Sequence, residues 1–138
     1  MTQGVAAMIT RQAACSCGQL QVTTCGEPVR ISVCHCLACQ QRTGSIFGVQ
    51  ARFPKASCSV VGNATAYTRT ADSGNTITFH FCPTCGATVY YQPDDMLDIL
   101  MVPVGAFADP RFPAPRISVY EERRHTWASL PVEIEHIA

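Results

Sequence analysis

Short runs of alternating or β-branched residues fill most of the chain. Residues 19–24 alternate polar and apolar positions. Similar runs cover 29–33, 46–53, 57–61, 64–69, 76–81, 88–92, 97–104 and 117–120. Turn signals separate them: Gly26-Glu27-Pro28, Gly62-Asn63, Asp72-Ser73-Gly74-Asn75 and Gln92-Pro93-Asp94-Asp95. Strands this short, broken this often, predict an all-β, antiparallel fold. One brief helix is expected over 37–42, ended by Thr43-Gly44. Residues 107–115 carry Pro110, Pro113 and Pro115 and are expected to be irregular. The pattern has no internal break, so residues 12–138 read as one domain. Residues 1–11 read as a loosely docked N-terminal arm without the basic and apolar regions of a signal peptide.

Composition narrows the function classes. Ten basic and ten acidic residues give a formal net charge of zero, without the electrostatic footprint of a nucleic-acid binder. No apolar run approaches the roughly 18 residues of a membrane span. The nine cysteines are an odd number, which rules out a complete intramolecular disulfide framework. With no sign of secretion, the chain reads as cytoplasmic, where thiols stay reduced. Clustered cysteines then point to metal ligation or thiol chemistry.

Seven of the nine fall in three clusters. Cys82-Pro83-Thr84-Cys85-Gly86 is a knuckle: Pro83 presets the turn and Gly86 tolerates a left-handed residue after it. The aromatic residues Phe79, Phe81, Tyr90 and Tyr91 flank it and are expected to shield its sulfurs. Cys15 and Cys17 are alternate residues, which face one side on a strand. Together, Cys15, Cys17, Cys82 and Cys85 supply the four thiolates of a structural zinc site. The competing reading is a set of buried, reduced packing cysteines.

Cys34-His35-Cys36-Leu37-Ala38-Cys39 offers one ion three sulfurs, Cys34, Cys36 and Cys39, with no fourth cysteine nearby. Three protein ligands and an open corner are the catalytic pattern for zinc. Three thiolates leave a Zn²⁺ site at about −1, a weak water activator but a soft centre suited to a fourth sulfur. The chemistry expected is therefore thiol capture, with the guest held as thiolate. Three alternatives stay open. Cys25 or Cys58 closes the site, His35 is the fourth ligand, or Cys36 and Cys39 form a metal-free redox pair.

The order C-x-C-G, C-H-C-x-x-C-x-x-x-T-G, F-C-P-x-C-G, running from Cys15 to Gly86, resembles the glutathione-dependent formaldehyde-activating enzyme family, which includes the centromere protein V relatives. A weaker echo continues through 104–110 and 127–131. The resemblance implies an Mss4-like β fold, with small twisted sheets around a structural zinc on Cys15, Cys17, Cys82 and Cys85. It implies a second zinc on Cys34, Cys36 and Cys39, beside the thiol site; with three protein ligands, this catalytic zinc is expected to be the labile one. The implied activity is a carbon–sulfur lyase reaction joining glutathione and formaldehyde into S-hydroxymethylglutathione. The expected partner is a small thiol such as glutathione, with a homodimer allowed, and no nucleic acid or membrane. The sequence shows no distinctive basic cluster for glutathione's carboxylates. Arg42 is the nearest candidate contact and Arg52 the next. A polar group within 43–45 is a candidate to orient the carbonyl. The rival function is a non-catalytic, zinc-stabilised β module binding a protein partner, since folds of this kind serve both purposes.

Overall fold

The computed structural model describes residues 8–131 and 133–138. Among the described residues it is mostly β, with 42% in strands and one α-helix. The strands are β1 (Thr10–Ala14), β2 (Gln21–Cys25), β3 (Arg30–Cys34), β4 (Gly48–Pro54), β5 (Cys58–Val61), β6 (Thr65–Thr70), β7 (Thr76–Phe81), β8 (Thr88–Pro93), β9 (Ile99–Pro103), β10 (Ile117–Val119) and β11 (Glu135–His136). The helix α1 spans Leu37–Thr43. Most of the expected N-terminal arm lies outside the described residues, but Thr10 and Arg11 already pair with Cys25 and Thr24 in β1–β2.

A three-stranded sheet, β1-β2-β5, covers an eight-stranded sheet ordered β11-β10-β3-β4-β9-β8-β7-β6. Consecutive strands make the antiparallel pairs β1–β2, β3–β4, β6–β7, β7–β8 and β8–β9, and β2–β5 and β4–β9 are antiparallel pairs between strands distant in sequence. β10 instead lies parallel to both β3 and β11: it runs in the same sense as β9, because the long irregular passage after β9 carries the chain past β4 and β3 without reversing its direction. Alternation gives the large sheet two working faces. On one face, Ile31, Ala51 and Val102 line up across β3, β4 and β9, with Phe53 opposite Leu100. These residues join Leu20 and Val22 of the small sheet's layer in the main core. At about 25 cal/mol per Å² of apolar surface, this layer is the main favourable term holding the two sheets together.

The other face carries a different set. Arg30, Ser32 and Cys34 alternate along β3, opposite Arg52, Gln50 and Gly48 of β4. The register continues through Met101 to Tyr91 and Phe79. These last three form a separate apolar cluster. Phe79 and Tyr91 therefore serve this second face rather than shielding the knuckle, because the β7–β8 register turns them to it.

Candidate active site

The first cysteine group assembles from two turns. Cys15 follows β1, and the turn closes with the Gly18 N–H donating to the Cys15 carbonyl at 3.0 Å. The pair thus meets through a turn at Gly18 (φ +85°) rather than by strand alternation. The Cys82 turn closes in the same way, the Gly86 N–H donating to the Cys82 carbonyl at 2.8 Å. Cys15, Cys17, Cys82 and Cys85 place their sulfurs within 4.8 Å of one another. The Cys15–Cys17 and Cys17–Cys82 separations are both 3.6 Å. A tetrahedron with ~2.3 Å bonds has edges of about 3.8 Å, so this donor set fits zinc.

Amides prepare these sulfurs for negative charge. The Gln19 side-chain amide donates to Cys82 Sγ at 2.9 Å, the Thr84 N–H to the same sulfur at 3.3 Å, and the Leu20 N–H to Cys15 Sγ at 3.3 Å. Burial works against ionisation of Cys82, but these donors prevail and bring its thiol down to about 5. Gln19 carries no cysteine-like signal in sequence. Its side chain also donates to the Asn63 carbonyl and accepts from the Asn63 N–H, tying the metal turn to the β5–β6 turn.

The second group is buried and also fits a metal: Cys34, Cys36 and Cys39 place their sulfurs within 4.8 Å of one another. Cys34 ends β3, Cys36 is the N-cap of α1, and Cys39 lies in the helix's first turn. Cys36 Sγ accepts from the Cys39 N–H at 3.3 Å. Its thiol is pulled down to about 2 by hydrogen bonds from Cys34 and then Cys39, while the Cys34 thiol is pushed up by the same contacts. Three sulfurs this close share protons unless a cation is present, which is the situation a metal relieves.

None of the alternative fourth ligands joins this group among the described residues. His35 is buried and points away, its Nε2 2.9 Å from Ser118 Oγ and its ring edge-on to Phe47. Cys25 lies on β2 and Cys58 on β5, in the small sheet. The Thr43 hydroxyl donates to the Cys39 carbonyl at 2.9 Å, closing the helix, and residues 43–45 do not line the space beside the sulfurs.

That space is a cleft of about 300 Å³ on the second face of the large sheet. Cys34, Cys36 and Cys39 form part of its wall, with Tyr120 beside them. Tyr120 holds a left-handed backbone (φ +56°) uncommon for a non-glycine residue. Burial, then the charges of Asp72 and Cys34, push its phenol up, so it stays a proton donor at neutral pH.

Arg42 is not among the residues lining the cleft. Its guanidinium lies 4.9 Å from the Tyr91 ring centroid and 5.2 Å from that of Phe79. A Cβ at Gly48 would sit 3.1 Å from Arg42 Nη2 and 3.5 Å from Cys39 Cβ, so Arg42 backs the cysteine group through the bare glycine. Arg30, Arg52 and Arg69 do line the cleft. Arg30 and Arg52 stand directly opposite on β3 and β4, and Arg69 reaches over Phe79 from β6 at 5.1 Å. Burial, then the neighbouring Arg30 charge, pull Arg52 below the ordinary arginine value. Of the three, the sequence offers only Arg52 as a candidate; Arg30 and Arg69 are scattered along the chain and carry no local signal.

The model of a family described as "Glutathione-dependent formaldehyde-activating enzyme" matches residues 10–123. The match ends before the echo at 127–131. Among solved structures, a crystal structure of a Rhodobacter sphaeroides protein is similar in fold, with 22% identity and a TM-score of 0.56. The likeness covers 72% of this chain and 92% of that one. No curated protein matches the chain.

Proposed function

Because the chain belongs to the glutathione-dependent formaldehyde-activating enzyme family, we propose that it is a carbon–sulfur lyase joining a small thiol, glutathione in the first instance, to formaldehyde. The observation that carries this reading is the buried three-sulfur group on the wall of a small-molecule cleft. Cys34, Cys36 and Cys39 would hold one zinc ion, and Cys15, Cys17, Cys82 and Cys85 a second, structural one. When bound at the three cysteines, zinc supplies a soft Lewis acid that favours the thiolate form of an incoming thiol.

The chain's own residues do the rest. The cleft holds thiol and aldehyde together and limits their orientations, the ordinary source of acceleration in a two-body addition. The sulfur lone pair forms the bond to the carbonyl carbon, and the C=O π pair moves to oxygen. Tyr120, still protonated, lines the same space and donates the proton that oxygen takes. The thiol's own proton, released on binding, restores Tyr120 through solvent. The product is an S-hydroxymethyl thiol, and the reverse path returns thiol and aldehyde. Arg42, behind the sulfurs, favours their charged state rather than touching the thiol's carboxylates. A partner-binding module would need a closed second site, and the open cleft favours the enzyme instead.

The test is direct. Zinc-loaded protein mixed with glutathione and formaldehyde should speed exchange between free and hydroxymethylated glutathione, followed by NMR exchange spectroscopy. Cys39→Ser should abolish the acceleration. Exchange no faster than the uncatalysed rate removes formaldehyde as the substrate.

A further inference from the structure

Arg30 and Arg52 are an unusual pair. Like charges directly opposite across two strands are destabilising, yet the β3–β4 register sets these two guanidinium-bearing residues face to face. Both Nε atoms are buried without a hydrogen-bond partner. The ion pairs among the described residues are Arg11–Glu27, Arg123–Asp72 and His136–Glu121, and none involves either arginine. The two acids on the same cleft are engaged elsewhere. Asp72 is 2.7 Å from Arg123, and Asp95 accepts from the Asn75 amide at 3.0 Å. Arg42 has a buried, unpartnered Nε as well, but it is compensated by the Phe79 and Tyr91 rings and stays off the cleft. Buried donors without acceptors are costly, and guanidinium forks match carboxylates.

We propose that Arg30 and Arg52 form an anion subsite that takes a carboxylate of the thiol substrate and sets its specificity; this rests on the thiol-capture reading of the cysteine group. The strand fixes the spacing. Arg30 and Cys34 are four residues apart on one face of β3, about 13 Å between Cα atoms. A ligand that engages both ends carries its carboxylate several bonds from its sulfur, as a short thiol peptide does. Ser32 and Gln50 line the stretch between, with the Gln50 amide donating to Ser32 Oγ at 3.0 Å. They offer polar contacts to a peptide backbone along the way.

Calorimetric titration of the zinc-loaded protein tests the subsite with three probes. These are glutathione, its diethyl ester with both carboxylates masked, and S-methylglutathione with the sulfur capped. Wild-type protein should bind the free acid about 10- to 100-fold more tightly than the diester, the range expected for charge-assisted hydrogen bonds. Arg52→Gln and Arg30→Gln should each bring acid and diester close to equal. Both variants should keep their metal content, and without ligand they should melt at or above the wild-type temperature, because each removes a like-charge contact. Equal binding of acid and diester by wild-type protein, or a preference that survives in both variants, overturns the subsite. Arginine-dependent binding of S-methylglutathione, with glutathione no tighter, supports the subsite while removing the thiol-capture reading.

Discussion

Gly62 has φ +108°, and a Cβ built there would lie 2.1 Å from the Gln19 carbonyl oxygen. Only glycine fits both the left-handed backbone and this approach. Gly62→Ala should lose roughly 3–5 kcal/mol in thermal or denaturant unfolding, from strain plus forced movement of the Gln19 turn. Gln19 itself acts on the first metal site. Gln19→Ala removes the amide that donates to Cys82 Sγ and should weaken zinc there by about 10- to 100-fold in chelator competition, given the worth of a hydrogen bond to a charged group. Residues of this kind show how far sequence carries at this scale. The seven clustered cysteines are legible because their spacing is local. Gln19 and Arg30 are not, and Arg52 is legible only as a second candidate after Arg42, because strand register and turn packing bring them to their sites, and neither is written in neighbouring residues.

The helix α1 is short, and its N-cap is a metal-site cysteine. Cys36 combines two roles, accepting the Cys39 N–H and offering its sulfur to an ion. Serine is a strong N-cap but a poor soft ligand. Cys36→Ser should therefore keep the circular dichroism spectrum while metal analysis falls by one zinc per chain; an unchanged zinc content would sink the two-site model. Most elements are legible because alternating or β-branched runs lie between turn signals; β2 and β8 bury every second residue, while the mostly exposed β6 is marked by its flanking turns. β1 is not legible, since its Thr-Arg-Gln-Ala-Ala stretch has little β-branched or aromatic content, and its partner lies across the first metal turn. β11 is two residues long and pairs in parallel with β10, a relation that depends on the whole path after β9. The β6–β7 hairpin adds a tether: its tip residue Asp72 pairs with Arg123 at 2.7 Å beside the cleft. The pair is solvent-exposed, so Asp72→Asn should change stability by less than about 1 kcal/mol.

At the scale of the molecule, the two cysteine groups differ in what they hold together. Cys34, Cys36 and Cys39 lie within one strand-to-helix step, so an ion there closes only a short loop. Cys17 and Cys82 are 65 residues apart, and their group joins the β1–β2 turn of the small sheet to the β7–β8 turn of the large one. Structural zinc in small domains supplies about 10–16 kcal/mol, comparable to or larger than the 5–15 kcal/mol stability of a whole domain. Removing it also leaves the Cys82 thiol, held near 5, ionised without its cation beside three other sulfurs. Stepwise chelation should therefore give two phases. The three-ligand site should empty first, with far-ultraviolet and near-ultraviolet circular dichroism unchanged. The four-ligand site should empty second, and loss of the near-ultraviolet signal should coincide with it. Acid should reproduce the order, because protons compete with metal for thiolates and affinity falls as pH falls. The sheet-to-sheet core through Leu20, Val22 and Phe53 pulls the other way. If it alone sufficed, tertiary signal would survive release of both metals, and the assignment of Cys15, Cys17, Cys82 and Cys85 as the staple of the fold would fail.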